Sequence, residues 1–240
     1  MDYMENSSII QKLPNHIGII MDGNRRWASE NGTSLLEAYK MSIKRAKEIC
    51  LACMKLHINE LTIFALSSDN LKKSSCQMNL LLQLFRNTFV EDSEFLNDNI
   101  RIKFYGSRKN LDDDIGEIMD KVEERTSLYN GLKLSIAFNY GGKDEIVDGF
   151  NSIIEKVNNN ELQYDEMNED TFEGFLWTKD MKDPDMIIST SGEQRTSGFL
   201  LWKASYSELF FLDKYWPDFI EEDLIECLSE YDKRDINRGR

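Results

Sequence analysis

The sequence predicts an α/β fold, a single domain with a mainly parallel central sheet of about six strands covered by helices on both faces. Three observations lead there. Short apolar runs alternate with stretches of helical periodicity along the chain. Four of those runs end abruptly in polar or glycine turns, at Asp22 to Arg26, Ser67 to Asn70, Asn139 to Gly142 and Ser189 to Ser197. No repeat, low-complexity tract or linker divides the series, so one domain over residues 15–240 is expected behind a polar, flexible segment at 1–14.

Taken in order, His16 to Met21 reads as a buried strand closed by Asp22-Gly23. Ser34-Leu35-Leu36-Glu37 fits a capping box, and the apolar spacing of Ala38, Met41, Ile43, Ala46, Ile49, Cys50 and Cys53 carries a helix to about Leu56. Leu61 to Leu66 is a second strand. Ser74 to Gln77 can cap the next helix, which runs through the apolar stretch Met78 to Val90. A strand at Ile100 to Gly106, a helix from about Asp112 to Leu128, a strand at Leu132 to Asn139 and a helix from about Lys143 to Val157 follow. Residues 158–170 are an acidic loop without calcium-loop spacing, leading to a short helix that ends near Leu176. Met186 to Ile188 and Glu208 to Leu212 complete the strands, and a last helix runs from Asp218 or Phe219 to about Arg234.

Acids outnumber bases 43 to 29, a net charge of −14, which disfavours general attraction to nucleic acid or anionic lipid. Any anionic ligand must be held by local cations. No apolar run reaches membrane-spanning length and the N-terminus lacks the pattern of a signal peptide, so a cytoplasmic protein is expected, with peripheral membrane contact left open. Cys50 and Cys53 form a CxxC inside a helical pattern, with no second pair and two histidines in the chain; helix packing explains them better than zinc or redox chemistry.

If the sheet is parallel, the four turns share one edge, where open α/β sheets bind ligands. Arg25, Arg26, Lys72, Lys73 and Arg195 fall in or beside them. With the carboxylates Asp22 and Glu208, this set suits phosphorylated groups and a magnesium ion. There is no GxGxxG after the first strand and no Walker lysine, so nucleotide binding of those kinds is not indicated.

The blocks His16-x-x-Ile19-Ile20-Met21-Asp22-Gly23-Asn24-x-Arg26-Trp27-Ala28, Ser67-Ser68-Asp69-Asn70, Asn139-Tyr140-Gly141-Gly142 and Ser191-Gly192-Glu193-Gln194-Arg195-x-Ser197-x-Phe199-Leu200-Leu201-Trp202 stand in that order, followed by Glu208-Leu209-Phe210-Phe211 and Trp216-Pro217. Through them the chain resembles the cis-prenyltransferases, the undecaprenyl diphosphate synthase-like enzymes, from about Leu13 to Gly239. The resemblance implies a magnesium-dependent homodimer that condenses an allylic prenyl diphosphate with isopentenyl diphosphate, forming a new cis double bond. It implies that Asp22 binds Mg2+ and diphosphate, that Gly23, Asn24, Arg25 and Arg26 hold the allylic diphosphate, and that Trp27 packs beside it. Ser67, Ser68, Asp69 and Lys73 match a substrate-contacting loop. Asn70 matches the position assigned to proton removal; an amide is a poor base, so it would orient the group that takes the proton. Arg195, Thr196 and Ser197 would bind isopentenyl diphosphate, and Glu208 would complete the metal site, from its own or from the partner subunit. The helix Met78 to Val90 and Ala65 would line the hydrocarbon tunnel, which Phe85, Phe89 and Phe138 can shorten.

The departures from the family pattern fall at phosphate positions. Leu35 and Tyr39 stand where an Arg and a His are usual, Ser42 replaces a Gly, Leu71 and Lys73 replace a Trp and an Arg, and Ser189 replaces an Arg. A hydrogen bond to a charged group is worth roughly 1.5–3 kcal/mol, so loss of the guanidinium at Ser189 weakens acceptor binding on the order of ten- to a hundredfold. Three readings follow: a cis-prenyl diphosphate synthase with an altered acceptor site, a relative that ionises an allylic diphosphate for cyclisation, rearrangement or another acceptor, and a catalytically silent partner subunit.

Overall fold

The computed structural model describes residues 10–71, 75–89, 94–96 and 98–236. Its strands are β1 (His16–Ile20), β2 (Glu60–Ser67), β3 (Arg101–Tyr105), β4 (Lys133–Tyr140), β5 (Met186–Ser189) and β6 (Glu208–Phe211). They form one six-stranded, all-parallel sheet in the order β3-β4-β2-β1-β5-β6. The helices are α1 (Asn24–Glu30), α2 (Leu35–Lys55), α3 (Ser68–Leu71), α4 (Ser75–Thr88), α5 (Asp113–Thr126), α6 (Gly142–Asn158), α7 (Glu169–Glu173) and α8 (Glu221–Asp232). The predicted fold class therefore holds. One local reading changes: the turn after β1 opens directly into α1, a short helix absent from the expected series.

Strand alternation explains the two cores. Ile17 and Ile19 of β1, Leu61 and Ile63 of β2, and Met186 and Ile188 of β5 turn to one face, where they meet Ile49 and Cys53 of α2, Met119 of α5 and Leu224 of α8. Ile20 and Ile187 turn to the other, against Phe199, Leu200 and Met181. On that second face α6 is joined to the 176–204 segment through Trp177 Nε1, which donates to Asp148 at 2.9 Å, and through Thr178, whose N donates to Glu145 at 2.8 Å.

Local signals set the ends. Ser34 caps α2, its hydroxyl accepting from Glu37 N at 3.2 Å, but the reciprocal half of the expected capping box is not made, because the Glu37 carboxylate takes Lys40 at 2.9 Å. Cys50 and Cys53 are buried among core side chains, and burial pushes the Cys50 thiol up to about 12, so both act as packing residues. His16 is buried between Lys182 O (2.8 Å) and Thr62 Oγ1 (2.7 Å), and burial lowers its pKa. Of the segment expected to be flexible, Ile10 packs on the core, and the amides of Gln11 and Lys12 donate to Asp232 of α8. No helix among the described residues is long and apolar enough to cross a membrane.

Candidate active site

β1 lies between β2 and β5, so the chain leaves it toward one side of the sheet and later returns to the other. Such a switch point opens a crevice beyond the carboxyl ends of the strands. Thr190 closes the β5 side. Its Oγ1 accepts from Asp22 N at 3.0 Å and lies within hydrogen-bond distance of the carbonyls of Ile20 (3.2 Å) and Asp22 (2.9 Å). The Asp22 carbonyl also accepts from Trp216 N at 3.0 Å. The peptide that carries Asp22 is thus held from two other segments.

Gly23 makes the turn with φ of 102°, a region that favours glycine. A Cβ there would stand 2.6 Å from Tyr215 Cδ1. The turn aims Asp22 to Arg26 into a cleft of about 510 Å³, which Ser67, Asp69, Gln77 and Ser197 also line. Asp22 is half exposed; its Oδ1 accepts from Gly23 N at 2.7 Å, and its Oδ2 lies 3.8 Å from Arg26 Nη2. Arg26 grips the β5 loop, donating to Ser191 O (3.0 Å), Ser191 Oγ (2.7 Å) and Glu193 Oε1 (3.3 Å). Arg25 turns the other way, to Gln77 of α4 and Tyr39 of α2. Burial raises the Tyr39 pKa, and Arg25 works against that shift. Asn24 is fixed by the Met21 carbonyl at 3.2 Å and by Ser42 Oγ, which donates to its Oδ1 at 2.5 Å.

An apolar cavity of about 130 Å³ adjoins the cleft. Met21, Asn24, Tyr39, Ala65, Leu66 and Leu81 belong to the walls of both. Ile63, Leu84, Phe85, Phe89 and Phe138 lie deeper. A polar head and an apolar tail can thus be held together, which is the chemistry of an amphiphile.

The predicted residues divide accordingly. Asp22, Gly23, Asn24, Arg25, Arg26, Ser67, Asp69 and Ser197 meet in the cleft. Trp27 does not line it; its indole donates to Asp218 at 2.7 Å and ties α1 to the Trp216–Asp218 turn. Ser68 also points elsewhere, to Asp144 of α6. Arg195, on the loop with Thr196, pairs with Glu193. Asn70 has its backbone in α3, with its side chain outside what is described, and Lys73 lies outside the described residues altogether. Glu208 is not brought to Asp22 within the chain. It opens β6 level with Met186 and Ile17, at the opposite sheet edge, and Arg234 holds it at 2.6 Å. Gln77 and Glu193 had no place in the predicted site; only the fold brings Gln77 against Arg25, although Glu193 lay inside a recognised block.

Among the described residues no three acids, histidines or cysteines cluster as a ready metal cage. Magnesium commonly takes one or two carboxylates and completes its shell with substrate phosphate and water. Asp22, half exposed at the mouth of a cleft with arginines behind it, fits that requirement.

The family model Prenyltransf, described as "Putative undecaprenyl diphosphate synthase", matches residues 20–239. An isoprenyl transferase of Clostridium perfringens is 39% identical over 232 residues, covering 96% of this chain and 92% of its own. The ditrans,polycis-undecaprenyl-diphosphate synthase ((2E,6E)-farnesyl-diphosphate specific) of Micrococcus luteus is 37% identical over 226 residues, 93% and 90% of the two chains. In structure, lavandulyl diphosphate synthase from Lavandula x intermedia, in complex with dimethylallyl diphosphate, superposes with a TM-score of 0.90 at 32% identity, over 95% of this chain and 99% of that one. On its sequence, its sheet and the cleft at its switch point, the chain belongs to the undecaprenyl diphosphate synthase family of prenyl transferases, whose members join an allylic diphosphate to isopentenyl diphosphate to give cis-prenyl diphosphates and need a divalent metal.

Proposed function

We propose that this chain is a magnesium-dependent cis-prenyl diphosphate synthase that binds an allylic prenyl diphosphate across the cleft and the adjoining cavity. The observation that carries the reading is their continuity: Asp22, Arg25 and Arg26 stand at the polar end and an apolar pocket begins at Met21 and Ala65. In the reaction the C1–O bond of the allylic diphosphate breaks and diphosphate leaves. C4 of isopentenyl diphosphate bonds to C1, and a proton leaves C2 to form the new double bond.

Arg26, Gly23 N and Asn24 would hold the allylic diphosphate, with Arg25 on the far side replacing part of the charge missing at Leu35 and Tyr39. Asp22 would hold Mg2+, which when bound neutralises charge on the leaving diphosphate. Ser67, Asp69 and Ser197 would complete the contacts. Asn70 would orient the phosphate oxygen or water that accepts the proton, and Arg195, Thr196 and Lys73 would meet the acceptor. Trp27 and Ser68 would act from behind, by fixing α1 and α3.

A homodimer is the proposed working form. Val147, Phe150 and Ile154 leave an apolar stripe on α6, each more than two-fifths exposed, at helical spacing. Glu208 would reach a metal only from a second copy. The cytoplasm is the proposed compartment, where thiols such as Cys50, Cys53 and Cys227 stay reduced.

One observation favours a second reading. Ser189 is buried, with its hydroxyl 3.5 Å from the Glu193 carbonyl, and Arg195 is already paired, so among the described residues the acceptor side is poor in free cations. An acceptor other than isopentenyl diphosphate would suit such a site. Incubation with Mg2+ and an allylic diphosphate, with and without labelled isopentenyl diphosphate, separates the two. Label in longer products supports synthesis, and products formed without isopentenyl diphosphate support the other acceptor. No turnover with any allylic diphosphate, unchanged by Asp22→Ala, defeats both.

A further inference from the structure

We infer that the allylic substrate has a tail of one or two isoprene units and that elongation stops at or below fifteen carbons. This rests on the function proposed above and adds the size of its substrate and product. The cavity holds about 130 Å³. A protein cavity of about 150 Å³ accepts one benzene, so the enclosed space matches roughly one five-carbon unit. A second unit has the shared rim of Met21, Ala65, Leu66 and Leu81, where cleft and cavity meet.

Away from the cleft the cavity is lined by Phe85, Phe89, Phe95 and Phe138, rings in contact with one another or with Phe104. Phe85 lies 4.6 Å from Phe138, 5.0 Å from Phe89 and 5.5 Å from Phe104, centroid to centroid. Phe89 in turn lies 5.4 Å from Phe104 and 6.2 Å from Phe95. All five distances fall within the contact range of paired aromatic rings, so no isoprene unit passes between them. Phe138 comes from β4, Phe104 from β3, Phe85 from α4, and Phe89 from the residue just past the end of α4. The plug is therefore built from three elements, and shifting one ring disturbs its neighbours. Phe85 and Phe138 are each 6% exposed, so neither swings into solvent without leaving a void. A chain of eleven units, as in the name of the Micrococcus luteus relative, far exceeds the roughly one unit that this cavity encloses.

The test pairs a binding series with a product series. Isothermal titration in Mg2+ uses unreactive thiolodiphosphate analogues with tails of five, ten, fifteen and twenty carbons. Affinity is expected to rise from five to ten carbons and to fall at least tenfold by twenty, because overpacking a filled core is unfavourable. Products from labelled isopentenyl diphosphate are expected at fifteen carbons or fewer. Phe89→Ala, at a half-buried ring, and Phe138→Leu, a milder change that guards against misfolding, are each expected to recover tenfold in affinity for the twenty-carbon analogue. Twenty-carbon binding as tight as ten-carbon binding in the unmodified protein, or products beyond fifteen carbons, overturns the inference. Unchanged discrimination in both variants overturns the role of the rings. Absence of turnover with every allylic diphosphate defeats the proposed reaction, while the titration still decides tail length.

Discussion

Gly23→Ala tests whether the turn beneath the cleft is as constrained as its geometry indicates. Two separate terms oppose the methyl group. A non-glycine residue in a left-handed conformation such as φ 102° costs about 1–2 kcal/mol. The new Cβ would also lie 2.6 Å from Tyr215 Cδ1, 3.1 Å from Tyr215 Cβ and 3.0 Å from Ser191 Cβ, an overlap that costs about 1–3 kcal/mol when the surroundings cannot retreat. Tyr215 has limited freedom, since its hydroxyl donates to Glu30 at 2.6 Å and its ring lies under Arg26. The expected loss is about 2–5 kcal/mol in urea denaturation with an unchanged m-value. Tyr215→Ala in the same chain removes the closest contact and leaves the backbone term, so the double mutant should recover at least about 1 kcal/mol relative to additivity. A Gly23→Ala protein within about 0.5 kcal/mol of the parent would refute the argument, as would strictly additive effects.

Other consequences are measurable. Arg26→Lys keeps the charge but cannot span Ser191 O, Ser191 Oγ and Glu193 together, so kcat/KM should fall about ten- to a hundredfold with stability little changed; an unaltered kcat/KM would remove Arg26 from the site. Ser189→Arg should lower KM for isopentenyl diphosphate about tenfold or more while KM for the allylic substrate holds; no change would mean that another cation already serves. His16 has its folded pKa lowered by burial, so the unfolded chain binds more protons below about pH 6.5, and stability should decline as pH falls from there toward the lowered folded pKa, by at most about 1.4 kcal/mol per pH unit. Denaturation of the parent and of His16→Gln at pH 5 to 8 checks this, and equal slopes would refute it.

What the sequence made legible follows from the physics of strands. An apolar run that stops at Asp22, Ser67, Asn139 or Ser189 announces a buried strand with an open end, and parallel pairing then puts those ends on one edge. The direction of each side chain beyond the end is not encoded so locally. Trp27 and Arg26 are neighbours in a block that the chain shares with its family, yet Trp27 faces Asp218 and Arg26 faces Ser191, because α1 is packed between two different segments. Ser67 lines the cleft while Ser68, one residue on, meets Asp144. Gln77 reaches Arg25 across 52 positions, a pairing that only the fold creates. The position of Glu208 was readable: the first residue of a strand in a parallel sheet lies opposite the edge where the other strands end.

The pairing of β1 with β5 also sets a timetable. Asp22 and the Thr190 hydroxyl that fixes it are separated by 168 residues, so at about 5–20 residues per second a ribosome needs roughly 8 to 34 s to supply the second after the first. From the synthesis of β2 until that of β5, β1 has β2 as a neighbour on one side and a bare edge on the other. The nascent chain must carry this sticky edge until β5 emerges, and the hydroxyl that fixes the Asp22 peptide arrives only with it. The turn that carries Asp22 is therefore fixed late in synthesis, after most of the sheet has been made.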